Sequence, residues 1–205
     1  MTKGRLEAFS DGVLAIIITI MVLELKTPHE TDLAALRPLV PILLTYLLSF
    51  VFVAIYWNNH HNMLHAVERV TGGVLWANLH LLFWLSLFPF VTGWMDENHF
   101  EPVPVAAFGC VLLGSAIAYY ILTRALLANH AADSMLARGL GRDVKGKLST
   151  AGYVAAIPLA FVHPAIALAM YVSVALVWLV PDRRFERLLA EAERPSGYRR
   201  PEQPS

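Results

Sequence analysis

Residues 5–25 read RLEAFSDGVLAIIITIMVLEL. A helix that crosses a bilayer needs roughly 20 predominantly apolar residues. Leu6–Leu25 meets that requirement, with Asp11 near its start and Glu24 near its end, and Pro28 with the polar run HETD at 29–32 stops it. Ionisable groups inside a span are costly and face protein or water rather than lipid. Arg5, Ser10 and Asp11 cluster at one end of this helix. Arg5 and Asp11 are six residues apart, about 120° around an ideal helix, so each is expected to meet groups on neighbouring helices. For Arg5 the other reading is a basic anchor just below the membrane. A second face carries Gly12, Ile16, Thr19, Ile20 and Leu23 at i, i+4, i+7, i+8 and i+11, a stripe that is small at one end, apolar above and holds one hydroxyl. Pattern alone leaves that stripe open between a helix-packing seam and the wall of a water-filled path.

The rest of the chain repeats the theme. It is 57% hydrophobic and only 16% charged, whereas soluble domains are about 45–50% apolar and about 25% charged. Further apolar runs cover Leu39–Trp57 (extending as helix toward Asn62), Val74–Trp94, Val103–Thr123, Leu148–Val162 and Ala165–Val180. The last two flank His163-Pro164, where the proline disfavours helix at the residue before it; two short helices joined by a tight turn are expected, a re-entrant loop being the alternative. The fold class is therefore all-α, a polytopic membrane protein with six transmembrane helices. Lys and Arg fall almost entirely on one side of this layout, with only Lys26 and Arg37 on the other, which places both termini in the cytoplasm. Trp57, Trp76, Trp94 and Trp178 lie near span ends, as in an aromatic belt, while Trp84 is mid-span and is expected between helices. The start has no cleavable signal pattern, so the first span is expected to be retained. Residues 1–181 form the expected membrane domain and 182–205 a cytoplasmic, charged, Pro-rich tail, with the long polar connection Ala125–Gly146 on the same side.

Other chemistries find little support. Acidic and basic residues balance, so no field points to nucleic acid. The single Cys110 permits no internal disulfide, and neither GxxxxGK[ST] nor GxGxxG occurs. His61 and His65 are one helical turn apart, with His60 and Glu68 close by, which is the nearest approach to a metal site or to an enzyme's side-chain set; inner-end histidines bonding between helices are the commoner case. Asn78 and His80 are read as interhelical contacts, and Gly109, Gly114 and Ser115 as a point of close helix approach. Glu24 stands at the outer end of the first span, either as a cation attractor or as a solvated helix end. A transporter would need paired broken helices or repeat halves, and none is visible.

The string R-L-E-A-F-S-D-G opening the first helix resembles the signature R-x-x-x-F-S-D of the endolysosomal potassium channels, the transmembrane protein 175 family, with Arg5, Phe9, Ser10 and Asp11 all in place. The second span's Y-W-N-N-H-H (56–61) and the third span's W-A-N-L-H-L-L-F-W-L-S-L-F-P-F (76–90) resemble the same family. The resemblance implies a non-enzymatic, cofactor-free channel in the cell membrane: a homotetramer of six-span chains whose first helices line one pore. It permeates potassium, with caesium as a further permeant ion. Apolar side chains then form the constriction and gate. On this helix they are Ile16, Ile20 and Leu23, with Thr19 as the pore-lining hydroxyl. Weak, leak-like potassium selectivity is implied, and the sequence has neither a TVGYG-like carbonyl filter nor an arginine ladder. Arg5, Phe9, Ser10 and Asp11, with His60, His61 and Asn78 as partners, would be a helix-packing network around the pore helix. The alternative functions are a proton-conducting channel or a cation transporter.

Overall fold

The computed structural model describes residues 2–28, 31–67, 69–129 and 143–179. Among them the ordered elements are all helical: α1 (Lys3–Leu23), a 3-10 turn (Leu33–Leu39), α2 (Val40–His65), α3 (Gly72–Ser86), α4 (Phe88–Glu97), α5 (Pro102–Leu127), α6 (Val144–Ala160) and α7 (Pro164–Leu179). Local chemistry sets many of the boundaries. Asp32 accepts from the Ala35 N–H at 3.0 Å and Asp143 from the Gly146 N–H at 2.8 Å, each satisfying a donor that the helix start leaves without a partner. Thr71 stands in the same position before α3. Pro41 and Pro102 occupy first-turn positions, where a missing N–H costs nothing.

Among the described residues four segments are long and apolar enough to cross a membrane: α1, the 3-10 turn with α2, α3 with α4, and α5. The third run, expected as one uninterrupted helix over Val74–Trp94, is two helices stacked end to end and broken at Leu87. The reason is Pro89, which has no N–H to donate and whose ring would meet the carbonyl of Leu85. The final pair matches the expected short helices. At 17 and 16 residues, α6 and α7 are about 24–26 Å long, and Phe161–His163 make the turn between them. The C-terminal tail and most of the 125–146 connection lie outside the described residues.

Helix α5 is the hub: it packs against α3, α4, α6 and α7, while α1 lies across α2, α3 and α4. The close approach read from Gly109 and Gly114 is present. A Cβ on Gly109 would overlap the Tyr171 hydroxyl, and one on Gly114 would overlap the Trp84 indole. Trp84 is thus wedged between α3 and α5. The Ser115 hydroxyl beside it is buried, with no hydrogen-bond partner among the described residues. Aromatic rings fill the centre: Phe52, Phe88 and Phe108 meet at centroid distances of 5.9–6.4 Å, and Tyr171 joins them through Phe108. This core fixes α2 to α4 and α5, and with them the groove in which α1 sits.

Candidate functional site at the first helix

Helix α1 divides into two faces. Leu6, Ser10, Leu14, Ile17 and Met21 recur at helical spacing and are buried. The opposite face carries Phe9 (49% exposed), Ile16 (58%), Ile20 (41%) and Leu23 (81%), large apolar side chains that the single chain leaves uncovered. Arg5, Gly12 and Thr19 are exposed along the same line. A Cβ on Gly12 would meet nothing within 4 Å. The Thr19 hydroxyl donates to the Ile16 carbonyl oxygen at 2.8 Å, so its proton is spent within the helix and its lone pairs remain.

The buried face is anchored by a polar relay across three helices. The Ser10 hydroxyl donates to the Leu6 carbonyl oxygen at 2.9 Å and accepts from Asn78 Nδ2 at 3.0 Å. Asn78 Oδ1 lies 2.7 Å from His60 Nε2, and since an amide oxygen only accepts, that ring nitrogen carries the proton. Ser10, His60 and Asn78 are all buried. In a bundle whose outside is lipid, a polar group has few alternatives to a partner on the next helix.

A second link lies nearer the surface. Trp57 Nε1 donates to Asp11 Oδ1 at 2.9 Å, and the Trp57 ring stacks on His61 at 5.8 Å. Lys3 Nζ donates to the His65 carbonyl oxygen at 2.7 Å, so the start of α1 is tied to the end of α2. The expected network is therefore two separate devices. Ser10, His60 and Asn78 come together. Asp11 meets Trp57 rather than a histidine or Asn78, and His61 enters only through the Trp57 ring. Arg5 and Phe9 join neither group. They project from the exposed face, since both lie in line with Ile16 and Leu23 around the helix. Trp57 was legible only as a belt residue; that it precedes His61 by one helical turn was the signal that it shares the face meeting α1. Glu24, at the other end of α1, lies with Asp96 and Glu97 on a cavity of about 460 Å³, and Lys26 pairs with Glu97 at 3.4 Å. Among the described residues no group of His, Cys, Asp or Glu is arranged to hold a metal.

A helical bundle with one helix pinned by buried polar contacts on one side and apolar and bare on the other has the form of a multi-pass membrane protein. The comparisons with known proteins give the class a family. The family model described as "Endosomal/lysosomal potassium channel TMEM175" matches residues 5–89. A potassium channel of Chryseobacterium sp. (strain P1-3) is 52% identical over 191 residues, 93% of this chain and 100% of its own length. The crystal structure of a lysosomal potassium-selective channel TMEM175 homolog from Chamaesiphon minutus superposes with a TM-score of 0.70 at 26% identity, covering 87% of this chain and 96% of that one. The endosomal/lysosomal proton channel TMEM175 of Gallus gallus is 28% identical over 70% of this chain but 32% of its own length. This chain belongs to the TMEM175 family, a family of ion channels and not of enzymes.

Proposed function

We propose that the chain is a weakly selective, leak-like potassium channel of the cell membrane, formed by residues 1–181 as a homotetramer with both termini in the cytoplasm. The observation that carries this reading is the division of α1: the face opposite the Ser10–Asn78–His60 relay is a largely apolar stripe, interrupted by Gly12 and Thr19, that the rest of the chain leaves uncovered. Copies of α1 meeting along that stripe around a fourfold axis would line a path with Ile16, Ile20 and Leu23. A narrow apolar ring excludes water and closes by dewetting; a small outward shift of the helices reopens it. Ion passage through the widened ring requires partial loss of hydration water, which potassium gives up more readily than sodium. Thr19 sits one turn from Ile16 with its proton already donated to the helix, so its oxygen offers lone pairs to a cation and no donor to an anion. The relay and the Asp11–Trp57 bond then hold the wall of the path without entering it.

Cation flux from liposomes containing the purified protein tests the reading. Potassium and caesium gradients should dissipate faster than a sodium gradient, and Ile16→Asn should raise the sodium rate toward the potassium rate. Unchanged conductance and selectivity in Ile16→Asn would remove that residue from the constriction. A second reading, proton conduction, is favoured by the vertebrate relatives, which are named proton channels. A proton flux that persists when potassium, sodium and caesium fluxes are absent would replace the potassium reading with it.

A further inference from the structure

A cavity of about 480 Å³ lies between α2, α5, α6 and the end of α7, remote from the exposed stripe of α1. Its walls are mainly aromatic and aliphatic, from Phe52, Ile55, Ile117, Tyr153 and Val154. It extends from Asp143 and Lys147 at the start of α6 to Val154, about 16 Å along that helix. Ile117, Tyr120 and Val154 are exposed beside it, so the cavity opens on the outside of the single chain rather than being sealed in the core.

Polar groups occur along the whole length of this cavity, and many of them are already bonded. The Asp143 carboxylate accepts from the Gly146 N–H through one oxygen and shares this end of the cavity with Lys147. Ser149 and Thr150 donate to Lys145 and Gly146 carbonyl oxygens, and the Trp178 indole donates to Ser149 at 2.8 Å. Lys145 reaches the Val177 carbonyl oxygen and lies over the Trp178 ring. Several groups bond to no described residue: the exposed Lys147 ammonium at one end, and the Tyr56, Tyr120 and Tyr153 hydroxyls on the walls. Beside Tyr56, Asn59 spends its amide N–H on the Ile55 carbonyl oxygen and keeps its own oxygen available.

An apolar slot open on the outside of the bundle, with a lysine at one end and hydroxyl and amide groups inside, suits a lipid with an acyl chain below an anionic head. We propose that this cavity binds an anionic phospholipid of the inner leaflet, one acyl chain lying against Phe52, Ile117 and Val154, the phosphate paired with Lys147 and the glycerol ester region bonded by Tyr56 and Asn59. The inner leaflet follows from the Lys and Arg bias, which puts the start of α6 on the cytoplasmic side. Because Trp57 of α2 holds α1 directly and His60 holds it through Asn78, while Tyr56 and Asn59 of α2 face the cavity, the bound lipid buttresses the helix that positions the stripe.

The test is lipid retention by the purified full chain, measured by mass spectrometry after incubation with equal amounts of phosphatidylglycerol and phosphatidylcholine. Phosphatidylglycerol should be retained in preference. Lys147→Ala should weaken its retention about fivefold, the value of one lysine charge at an anionic leaflet. Tyr56→Phe, which preserves packing, should also lower it, and Val154→Trp, which fills the slot, should abolish it. Equal retention of the two lipids, wild-type retention by all three variants, or complete displacement of phosphatidylglycerol by equimolar oleate would overturn the assignment.

Discussion

Replacing Asn78 by leucine tests the relay that pins α1. The side chains are nearly equal in size and the site is fully buried, so the change isolates hydrogen bonding from packing. Ser10 keeps its bond to the Leu6 carbonyl oxygen and loses only an incoming donor. His60 fares worse: its Nε2–H, 2.7 Å from the Asn78 oxygen in the native chain, is left in the interior without an acceptor. An orphaned buried donor costs about 1–3 kcal/mol, and the lost Ser10 contact adds roughly 0.6 kcal/mol, a typical interhelical bond in a membrane protein. The sum is about 1.6–3.6 kcal/mol, which for a chain of this length lowers Tm by roughly 3–14 °C. Thermal unfolding in detergent, followed by the loss of the folded peak on size exclusion, reads this directly. The double variant Asn78→Leu with His60→Phe removes the orphan along with its partner, so its loss should be smaller than the sum of the two single losses by about 0.5–3 kcal/mol. An unchanged Tm in the single variant, or strict additivity in the double, would refute the relay as the anchor of α1.

Other changes probe separate parts of the account. Asp11→Ala should reduce the recovery of assembled protein on size exclusion while sparing the potassium-to-sodium flux ratio of what assembles, and Asp11→Asn, which still accepts from Trp57, should recover most of the loss. Thr19→Val removes the hydroxyl without changing shape and should lower the potassium-to-sodium flux ratio with little effect on Tm. Gly114→Leu forces a side chain into the Trp84 indole and should cost about 1–3 kcal/mol or more, seen as a lower Tm, whereas the same change at Gly12, where the space is open, should leave the single chain's packing intact and act only on assembly or flux.

How much of this was legible in the sequence differs by feature. The helical spans and the short final pair follow from hydropathy and from Pro164. The break at Leu87 was also written in the sequence, by Pro89, but a hydropathy window runs through a proline without registering it. Ser10, Asn78 and His60 could be nominated because polar residues in a span need partners, yet the sequence could not say that His60, rather than His61, turns to Asn78. That choice depends on the rotation of α2, which is set by Phe52 packing on Phe88 and Phe108. For Asp11 the sequence offers His60, His61 and Asn78 as candidate partners and not Trp57, for a related reason: Trp57 satisfies the aromatic-belt pattern and the hydrogen bond at once, and composition registers only the first. The stripe itself was visible as periodicity. Its exposure was not, because whether an apolar face is covered depends on where the other helices lie.

On the proposed reading the exposed stripe of α1 lines the ion path and its buried face does not. In a Cys110→Ser background, cysteine is placed at Ile16 or at Ile17, and potassium flux from liposomes is followed before and after adding a thiol-reactive cation. Block at Ile16→Cys with flux intact at Ile17→Cys is the predicted result. Block at neither position, or equal block at both, would contradict it.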